Sequence, residues 1–202
     1  MKRFFYLIAL VIIASCKKDN TAPAGNGFLS EHIKNTPTIE VFETTGATYD
    51  PTGDYGIYWG YCFKPSKNIE ISAIGAKIPN KGTFKIIISS SGYVNNDNYM
   101  FIDSINVNNV NEFTYKNVSK KLMLSANIKY TIAYFSKYKN NLYCAGISGT
   151  GIPPLIVNDI EIIYNYYQYG VYANGIYYPG STTSSSGDKI MGLLDFKYKL
   201  SQ

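Results

Sequence analysis

Few residues of this chain combine a reactive type with a spacing that would support catalysis. The sequence has one histidine, His32, so a serine or cysteine nucleophile has a single candidate base. Asp159 and Glu161 lie two residues apart on one face of a predicted strand, and such a carboxyl pair could serve glycoside hydrolysis. Ile160 and Ile162 alternate with these acids, which favours a solvent-facing role for both of them. We predict a non-catalytic protein, with an enzyme that has a dispersed carboxylate site as the remote alternative.

Tyrosine is the most unusual component of the chain, with 20 of 202 residues. Strand alternation predicts that Tyr164 and Tyr166 face the core, whereas Tyr167 and Tyr169 face outward. Exposed tyrosine rings offer a flat apolar face and a hydroxyl, which suits stacking on sugars or packing against a protein. The alternative is ordinary aromatic packing between strands. The predicted ligand-binding residues are Tyr167, Tyr169, Tyr172, Asn174, Tyr177 and Tyr178.

A second candidate site is the turn between Asp50 and Asp54. These two carboxylates enclose Pro51 and Gly53, and calcium prefers oxygen ligands from such loops. A plain turn explains the same residues through the preferences of proline and glycine. We predict no other cofactor, because no cluster of histidines and cysteines has the spacing of a zinc site.

The N-terminus has the pattern of an export signal. Lys2 and Arg3 precede the apolar residues 4–13, a run shorter than the roughly 20 residues of a membrane-spanning helix. Small residues then lead directly to Cys16. This arrangement resembles a bacterial lipoprotein signal, in which Cys16 is lipidated and becomes the mature N-terminus. A plain secretory signal is the alternative.

Residues 17–20, Lys-Lys-Asp-Asn, resemble the charged signal that sends lipoproteins of Bacteroidetes to the outer face of the outer membrane. Asn20 stands where that pattern has a second acid. The resemblance implies a protein anchored by lipid to the outer membrane and displayed at the cell surface. Two or more acyl chains hold a protein stably on a bilayer, whereas a single chain does so only marginally.

Charge and cysteine content limit the partners. The precursor has a net charge of +5, and removal of residues 1–15 would leave +3. No group of lysines and arginines lies on one predicted element, so we predict no nucleic acid partner. Cys62 and Cys144 could form a disulfide in an exported protein, but we favour two buried free thiols.

An alternation of period two runs through most of the chain from about residue 38. The last strand has Leu194 and Phe196 on its apolar face, and Asp195 and Lys197 on its predicted solvent face. Residues 69–78 change phase, which predicts a β-bulge near Gly75. Residues 119–127 could form one helical turn. Short strands separated by turn signals favour an all-β fold, an antiparallel two-sheet β-sandwich that is jelly-roll-like.

The predicted organisation has three parts. Residues 1–15 are a signal peptide, residues 16–37 are the lipidated cysteine and a flexible tether, and residues 38–202 are the β-sandwich domain. Phe28, Leu29 and Ile33 are candidates for the first contacts with the domain. His32 falls in the tether and is interpreted as a surface residue.

Five segments resemble an uncharacterised family of β-sandwich domains in bacterial secreted and surface proteins, often found beside carbohydrate-active modules. The segments are residues 56–63, 69–75, 81–86, 129–134 and 192–196. The resemblance implies a fold and a cell-surface setting, and carries no catalytic residue. We therefore predict a lipoprotein that binds glycans through residues 167–178. A structural or adhesive protein that binds a protein of the envelope is the alternative.

Overall fold

Strands that alternate between buried and exposed residues make up most of the described chain. The computed structural model describes residues 27–46, 55–91, 94, 98–110, 112–137, 142–149, 153–172, 183–184 and 189–201. The single α-helix in these ranges is α1 (Phe28–Asn35). The strands are β1 (Glu40–Gly46), β2 (Tyr55–Pro65), β3 (Ile69–Lys77), β4 (Gly82–Ser89), β5 (Tyr99–Val107), β6 (Thr114–Leu124), β7 (Tyr130–Lys137), β8 (Leu142–Ser148), β9 (Leu155–Val157), β10 (Ile160–Tyr172), β11 (Thr183–Ser184), β12 (Ile190–Met191) and β13 (Leu193–Leu200).

The strands form three antiparallel sheets around a shared core. The largest has the order β11-β10-β2-β7-β4-β5, and β9 pairs with β10 beside this path. The two smaller sheets have the orders β1-β8-β12 and β13-β3-β6. Apolar residues of all three sheets belong to one core cluster. The prediction of an antiparallel β-sandwich is confirmed, and its second layer consists of two short sheets instead of the single sheet that we predicted.

The second layer divides at Gly192, the one residue between β12 and β13. Gly192 has a φ of +85°, a conformation that favours glycine. A Cβ atom at this position would lie 2.9 Å from the backbone nitrogen of Gly60 in β2. The two layers therefore approach each other to backbone contact at these glycines, and the strand changes sheets there.

Aromatic residues fill the middle of the sandwich. Trp59 is 2% exposed, and Tyr61 and Phe63 on the same face of β2 are fully buried. The ring of Phe63 lies 5.1 Å from that of Phe196 in β13, a centroid distance typical of favourable aromatic pairs. Much of the tyrosine and phenylalanine content therefore serves packing between the layers.

The large sheet is covered on its outer face as well. A second cluster there contains Tyr58, Phe135 and Tyr166, together with Val94 from the connection between β4 and β5. The backbone N–H of Val94 donates a hydrogen bond of 3.1 Å to the hydroxyl of Tyr166. Because both faces are covered, seven consecutive residues of β7, from Tyr130 onward, are buried.

The phase change predicted within residues 69–78 is present. The pairing of β3 with β6 shifts register between Ile71 and Ala73, so the irregularity lies at Ser72 and not near Gly75. The bulge lets apolar residues on both sides of it reach the same core.

The prediction that residues 119–127 could form a helical turn is wrong. Residues up to Leu124 continue β6, and a turn follows at residues 126–127. Leu122 and Leu124 are both buried, so their spacing of two places them on one face of a strand.

Cys62 and Cys144 are buried free thiols, as we expected. They belong to different sheets, in β2 and β8. Burial raises the pKa of the Cys62 thiol and raises that of Cys144 to about 12. Both side chains act as small apolar groups of the core.

Candidate functional site

Strand β10 connects the two ends of the sandwich and carries the first part of the predicted ligand-binding segment. Ile160 pairs with Pro65 at one end, and Tyr172 pairs with Tyr55 at the other. Thirteen residues of strand span about 40 Å. We refer to the two extremes as the Pro65 end and the Tyr172 end. The predicted segment, residues 167–178, thus begins on β10 and continues from the Tyr172 end.

Tyr167 does not face outward as predicted. The pairing of β10 with β2 shifts register between Ile162 and Tyr164, which reverses the alternation that follows. Tyr167 therefore lies on the side of the main core, where its ring is 6.0 Å from that of Trp59. Its side chain is half-buried, so only part of the ring is accessible to a ligand.

The same shift moves Tyr164 and Tyr166 to the outer face of the large sheet, which also contradicts the prediction. Tyr166 is fully buried in the second cluster, and its hydroxyl donates to the side-chain oxygen of Gln168. Tyr164 is half-buried and forms a side-chain hydrogen bond with Cys62. A β-bulge leaves no reliable signature in this run of tyrosines, so alternation alone could not detect it.

The other predicted binding residues are described in part or not at all. Tyr169 and Tyr172 belong to β10, but the structure describes only their backbone and not their side chains. The remaining predicted site residues, Asn174, Tyr177, Tyr178, Asp50, Asp54 and Cys16, lie outside the described residues. Tyr55 and Tyr172 are strand partners, so the connection that carries Asp50 and Asp54 and the one that carries the later tyrosines join the sandwich at neighbouring positions.

The carboxylates considered for catalysis are engaged by lysines near the Pro65 end. Asp159 lies 3.0 Å from the ammonium of Lys67, and Glu161 lies 2.7 Å from that of Lys64. Asp159 belongs to the turn before β10, and Glu161 is on the strand itself. Within the described ranges no three acidic, histidine or cysteine side chains form a group that could hold a metal ion.

The most elaborate polar cluster surrounds Asp195, which sequence reasoning placed on a solvent face. Asp195 is fully buried because α1 packs over the outer face of β13. One carboxylate oxygen accepts a hydrogen bond of 3.0 Å from the backbone N–H of Leu29, and the other accepts one of 3.0 Å from Ser30. Asp195 thus caps the N-terminus of α1 from a distant strand, since Gly27 at the N-cap position has no side chain to do so.

Tyr115 completes this helix cap. Its hydroxyl donates a hydrogen bond of 2.6 Å to Asp195 and accepts one of 2.8 Å from the backbone N–H of Gly27. The Ser30 hydroxyl lies 2.7 Å from the hydroxyl oxygen of Tyr115. The ammonium of Lys197 lies 4.4 Å from the centre of the Tyr115 ring, and Lys197 is only 9% exposed, which also contradicts its predicted solvent position.

Burial dominates the electrostatics of the helix cap. It raises the pKa of the Asp195 carboxyl above its usual value, although hydrogen bonds from Tyr115, Ser30 and Leu29 act in the opposite direction. Burial lowers the pKa of Lys197, and the charge of Asp195 opposes that change. A serine, a tyrosine and an aspartate in contact resemble a catalytic group. Here, however, both carboxylate oxygens accept hydrogen bonds from the helix N-terminus, and the arrangement attaches α1 to the sandwich.

The position of α1 also changes the predicted tether. Residues 16–37 were expected to be flexible, with the first contacts at Phe28, Leu29 and Ile33; the helix buries Phe28 and Leu29 in the main core. His32 lies in this helix, where burial lowers the pKa of its imidazole. The packed part of the chain therefore begins before residue 38. Alternation alone gave no signal for this docking, because an acid between Leu194 and Phe196 has the pattern of an ordinary solvent-facing residue.

Two clefts beside α1 show how the helix is oriented relative to the two ends of the sandwich. The larger, about 810 Å³, runs from Gly27 and Phe28 along the end of β13 to Asp159 and Leu200 at the Pro65 end. The smaller, about 350 Å³, lies beside the C-terminal half of the helix, and Lys34 lines it together with Lys77 from the opposite end of β3. The N-terminus of α1 is therefore directed toward the Pro65 end.

In the ranges that the structure describes, α1 is the only α-helix, and no helix there is long and apolar enough to cross a bilayer. No protein-family model matches this chain, and neither a curated protein nor a solved structure is found to match it. The resemblance to surface β-sandwich domains stays a prediction from the residues.

Proposed function

We propose that this chain is a non-catalytic lipoprotein of the bacterial cell surface that binds glycans at the Tyr172 end of its sandwich. Lipid on Cys16 would hold it at the outer membrane. The observation that carries the proposal is the opposite placement of the helix N-terminus and the tyrosine-rich strand end. Gly27 lies in the cleft that opens toward the Pro65 end, whereas β10 carries Tyr169 and Tyr172 toward the other.

The position of Gly27 supports this polarity. Cys16 precedes Gly27 by eleven residues, which can span at most about 40 Å. Because Gly27 lies in the cleft toward the Pro65 end, that end would lie nearer to the membrane than the Tyr172 end, which is about 40 Å away along β10. A module that presents a ligand site to the surroundings needs this arrangement of anchor and site.

Residue chemistry at the Tyr172 end supports a glycan ligand. Tyr169, Tyr172, Tyr177 and Tyr178 supply aromatic rings for stacking on sugar rings, and Asn174 supplies an amide for hydrogen bonds to hydroxyl groups. Calcium bound by Asp50 and Asp54 would enter at the same end, because Tyr55 and Tyr172 are strand partners. Oxygen ligands from a loop are the chemistry that calcium would use there.

The test is binding of the mature chain to a broad panel of polysaccharides, with calcium and with a chelator. The protein should comprise residues 17–202. A chain that began at residue 28 would lack the Gly27 N–H, which donates a hydrogen bond to the hydroxyl of Tyr115. We expect binding that Tyr177→Ala or Tyr178→Ala abolishes. The matched control is Tyr198→Ala, which removes a half-buried tyrosine of β13 near the Pro65 end. Equal loss in the control, or no binding across the panel, would count against a glycan site.

A second function is favoured by the edge of the large sheet. Strand β5 ends the described path of that sheet, and Met100 and Ile102 on one of its faces are 41% and 49% exposed. Exposed apolar side chains on the last strand of a sheet suit a partner protein of the envelope. Crosslinking on intact cells tests this alternative: a partner captured by the native chain and lost in Met100→Ser/Ile102→Ser would support it.

A further inference from the structure

We propose that the Pro65 end of the sandwich is a membrane-contact surface that rests on the anionic headgroups around the lipid anchor. We define this surface by Lys67, Ile128, Lys129, Ile156, Lys199 and Leu200. The inference rests on the proposed anchor at Cys16 and adds to it a second, non-covalent contact of the folded domain with the bilayer.

Hydrogen bonds tie the segments of this surface into one rigid end. The carbonyl of Pro65 accepts a bond of 2.7 Å from the backbone N–H of Asn127, next to Ile128. The carbonyl of Asn68 accepts one of 2.9 Å from Ser201, next to Leu200. The segments that carry Lys67, Ile128 and Leu200 therefore lie side by side, although they are far apart in sequence.

Apolar side chains project from this end into solvent. Among the described residues, six large apolar side chains are exposed, and three of them lie here: Ile128, Ile156 and Leu200, which are 48%, 71% and 51% exposed. Ile128 sits at the tip of the connection between β6 and β7, and Leu200 at the end of the last strand. Isolated apolar residues at the tips of turns can insert to the depth of lipid headgroups without disturbing the fold.

Lysines form the outermost charges of the same surface. Lys67 pairs with Asp159, but the lysine side chain is 60% exposed and the acid 25%. Lys199 pairs with Glu70, with exposures of 67% and 21%. Lys129, beside Ile128, is also exposed. In both pairs the lysine is the more exposed partner, so an approaching bilayer would meet positive charge, which anionic headgroups attract.

The segment between Cys16 and Gly27 is the reason why we propose a bilayer as the partner of this surface. Gly27 is the first described residue and lines the cleft that ends at Leu200 and Asp159. Eleven residues from there lead to Cys16, a reach of at most about 40 Å. Because Gly27 lies in the cleft toward this end, a lipid at Cys16 would place this end nearer to the membrane than the Tyr172 end.

The test uses the full lipidated chain, reconstituted in vesicles of phosphatidylcholine and phosphatidylglycerol. Ile128→Cys is labelled with a polarity-sensitive dye, and labelling is selective because Cys62 and Cys144 are buried and Cys16 carries lipid. The matched control is Ile102→Cys on β5, where the native side chain has almost the same exposure, 49% against 48%. We expect a blue shift and quenching by headgroup-level quenchers at position 128 only. Identical, water-like emission at both positions would overturn the proposal.

Charge reversal tests the lysines separately. In the labelled Ile128→Cys chain, Lys67→Glu/Lys129→Glu should reduce the quenching several-fold in anionic vesicles. Lys81→Glu, an exposed lysine in the connection between β3 and β4, should leave it unchanged. Equal quenching in all three proteins would remove the electrostatic part of the proposal.

The anchor has its own readout, which is the mass of the N-terminal peptide that contains Cys16. If that peptide carries no lipid, the proposed anchor fails. The dye measurement is then repeated with the Cys16→Ser chain added to the same vesicles. A shift confined to position 128 would support the contact surface by itself, and no shift would reject it.

Discussion

The carboxylate of Asp195 accepts a hydrogen bond of 3.0 Å from the backbone N–H of Leu29, a residue 166 positions earlier in the chain. This contact joins the first described element, α1, to the last strand, β13. A buried acid is costly unless its oxygens accept hydrogen bonds, and the unpaired N–H groups of a helix N-terminus are suitable donors. The carboxylate and the helix N–H groups therefore satisfy each other as hydrogen-bond partners. The contact also holds the first and the last described elements together.

Loss of this acid should release α1. In Asp195→Ala, the N–H groups of Leu29 and Ser30 lose their acceptor in a buried site, and we expect the free energy of unfolding to fall by about 3 kcal/mol. Denaturant unfolding measures the loss, and hydrogen exchange should show faster exchange in α1. Asp159→Asn, which alters a partly exposed ion pair, should cost less than about 1 kcal/mol. Similar losses in both variants would contradict the role of Asp195.

Asp195 should also produce a characteristic pH dependence. Its pKa is raised in the folded protein, so the folded state binds the proton more tightly than the unfolded state does. The contribution of Asp195 to stability is therefore greatest below the unfolded pKa, about 3.9, and decreases as the pH rises through the folded pKa. The difference in unfolding free energy between the wild type and Asp195→Asn, measured across this window, should follow that curve. A constant difference would show that the carboxyl does not titrate abnormally.

Gly192→Ala should damage the junction between the two layers. The new Cβ would lie 2.9 Å from the nitrogen of Gly60, in addition to the strain of a φ of +85°. We expect a loss of at least about 3 kcal/mol, measured by thermal or denaturant unfolding. Gly82→Ala is the control, because Gly82 also has a positive φ but its Cβ would meet nothing closer than 3.7 Å. If the two variants were equally stable, the close approach would have no energetic weight.

Tyr167→Ala should reduce stability more than ligand binding. The ring packs 6.0 Å from Trp59 and is half-buried, so its removal should cost about 1–3 kcal/mol. Glycan affinity, measured on the folded fraction, should change little compared with Tyr177→Ala. The reverse order, full stability with abolished binding, would place Tyr167 in the ligand site and support its sequence-based assignment.

The two core thiols should resist modification in the native protein. Burial raises the pKa of Cys144 to about 12, so the reactive thiolate is scarce at pH 8, and access is blocked as well. Alkylation followed by mass spectrometry should modify neither Cys62 nor Cys144 until denaturant is added. Failure to alkylate them even in denaturant without reductant would indicate a disulfide.

Local pattern was sufficient for much of the fold. Alternation of period two identified strands such as β10 and β13, and it indicated the all-β sandwich and a bulge within residues 69–78. These features depend on which face of a strand is apolar, and that information is present in neighbouring residues.

Tertiary structure decided which faces are covered. A single bulge in β10 moved Tyr167 to the core side and Tyr166 to the outer face, because one extra residue reverses every side chain that follows. The docking of α1 buried Asp195 and Lys197 on a face that alternation assigned to solvent. The sequence by itself therefore determined the strand type of the chain, its export-like N-terminus and its tyrosine-rich segment. Only the tertiary structure decided that the N-terminus of α1 and the tyrosine-rich end of β10 lie toward opposite ends of the sandwich. That relation depends on contacts between residues far apart in the chain.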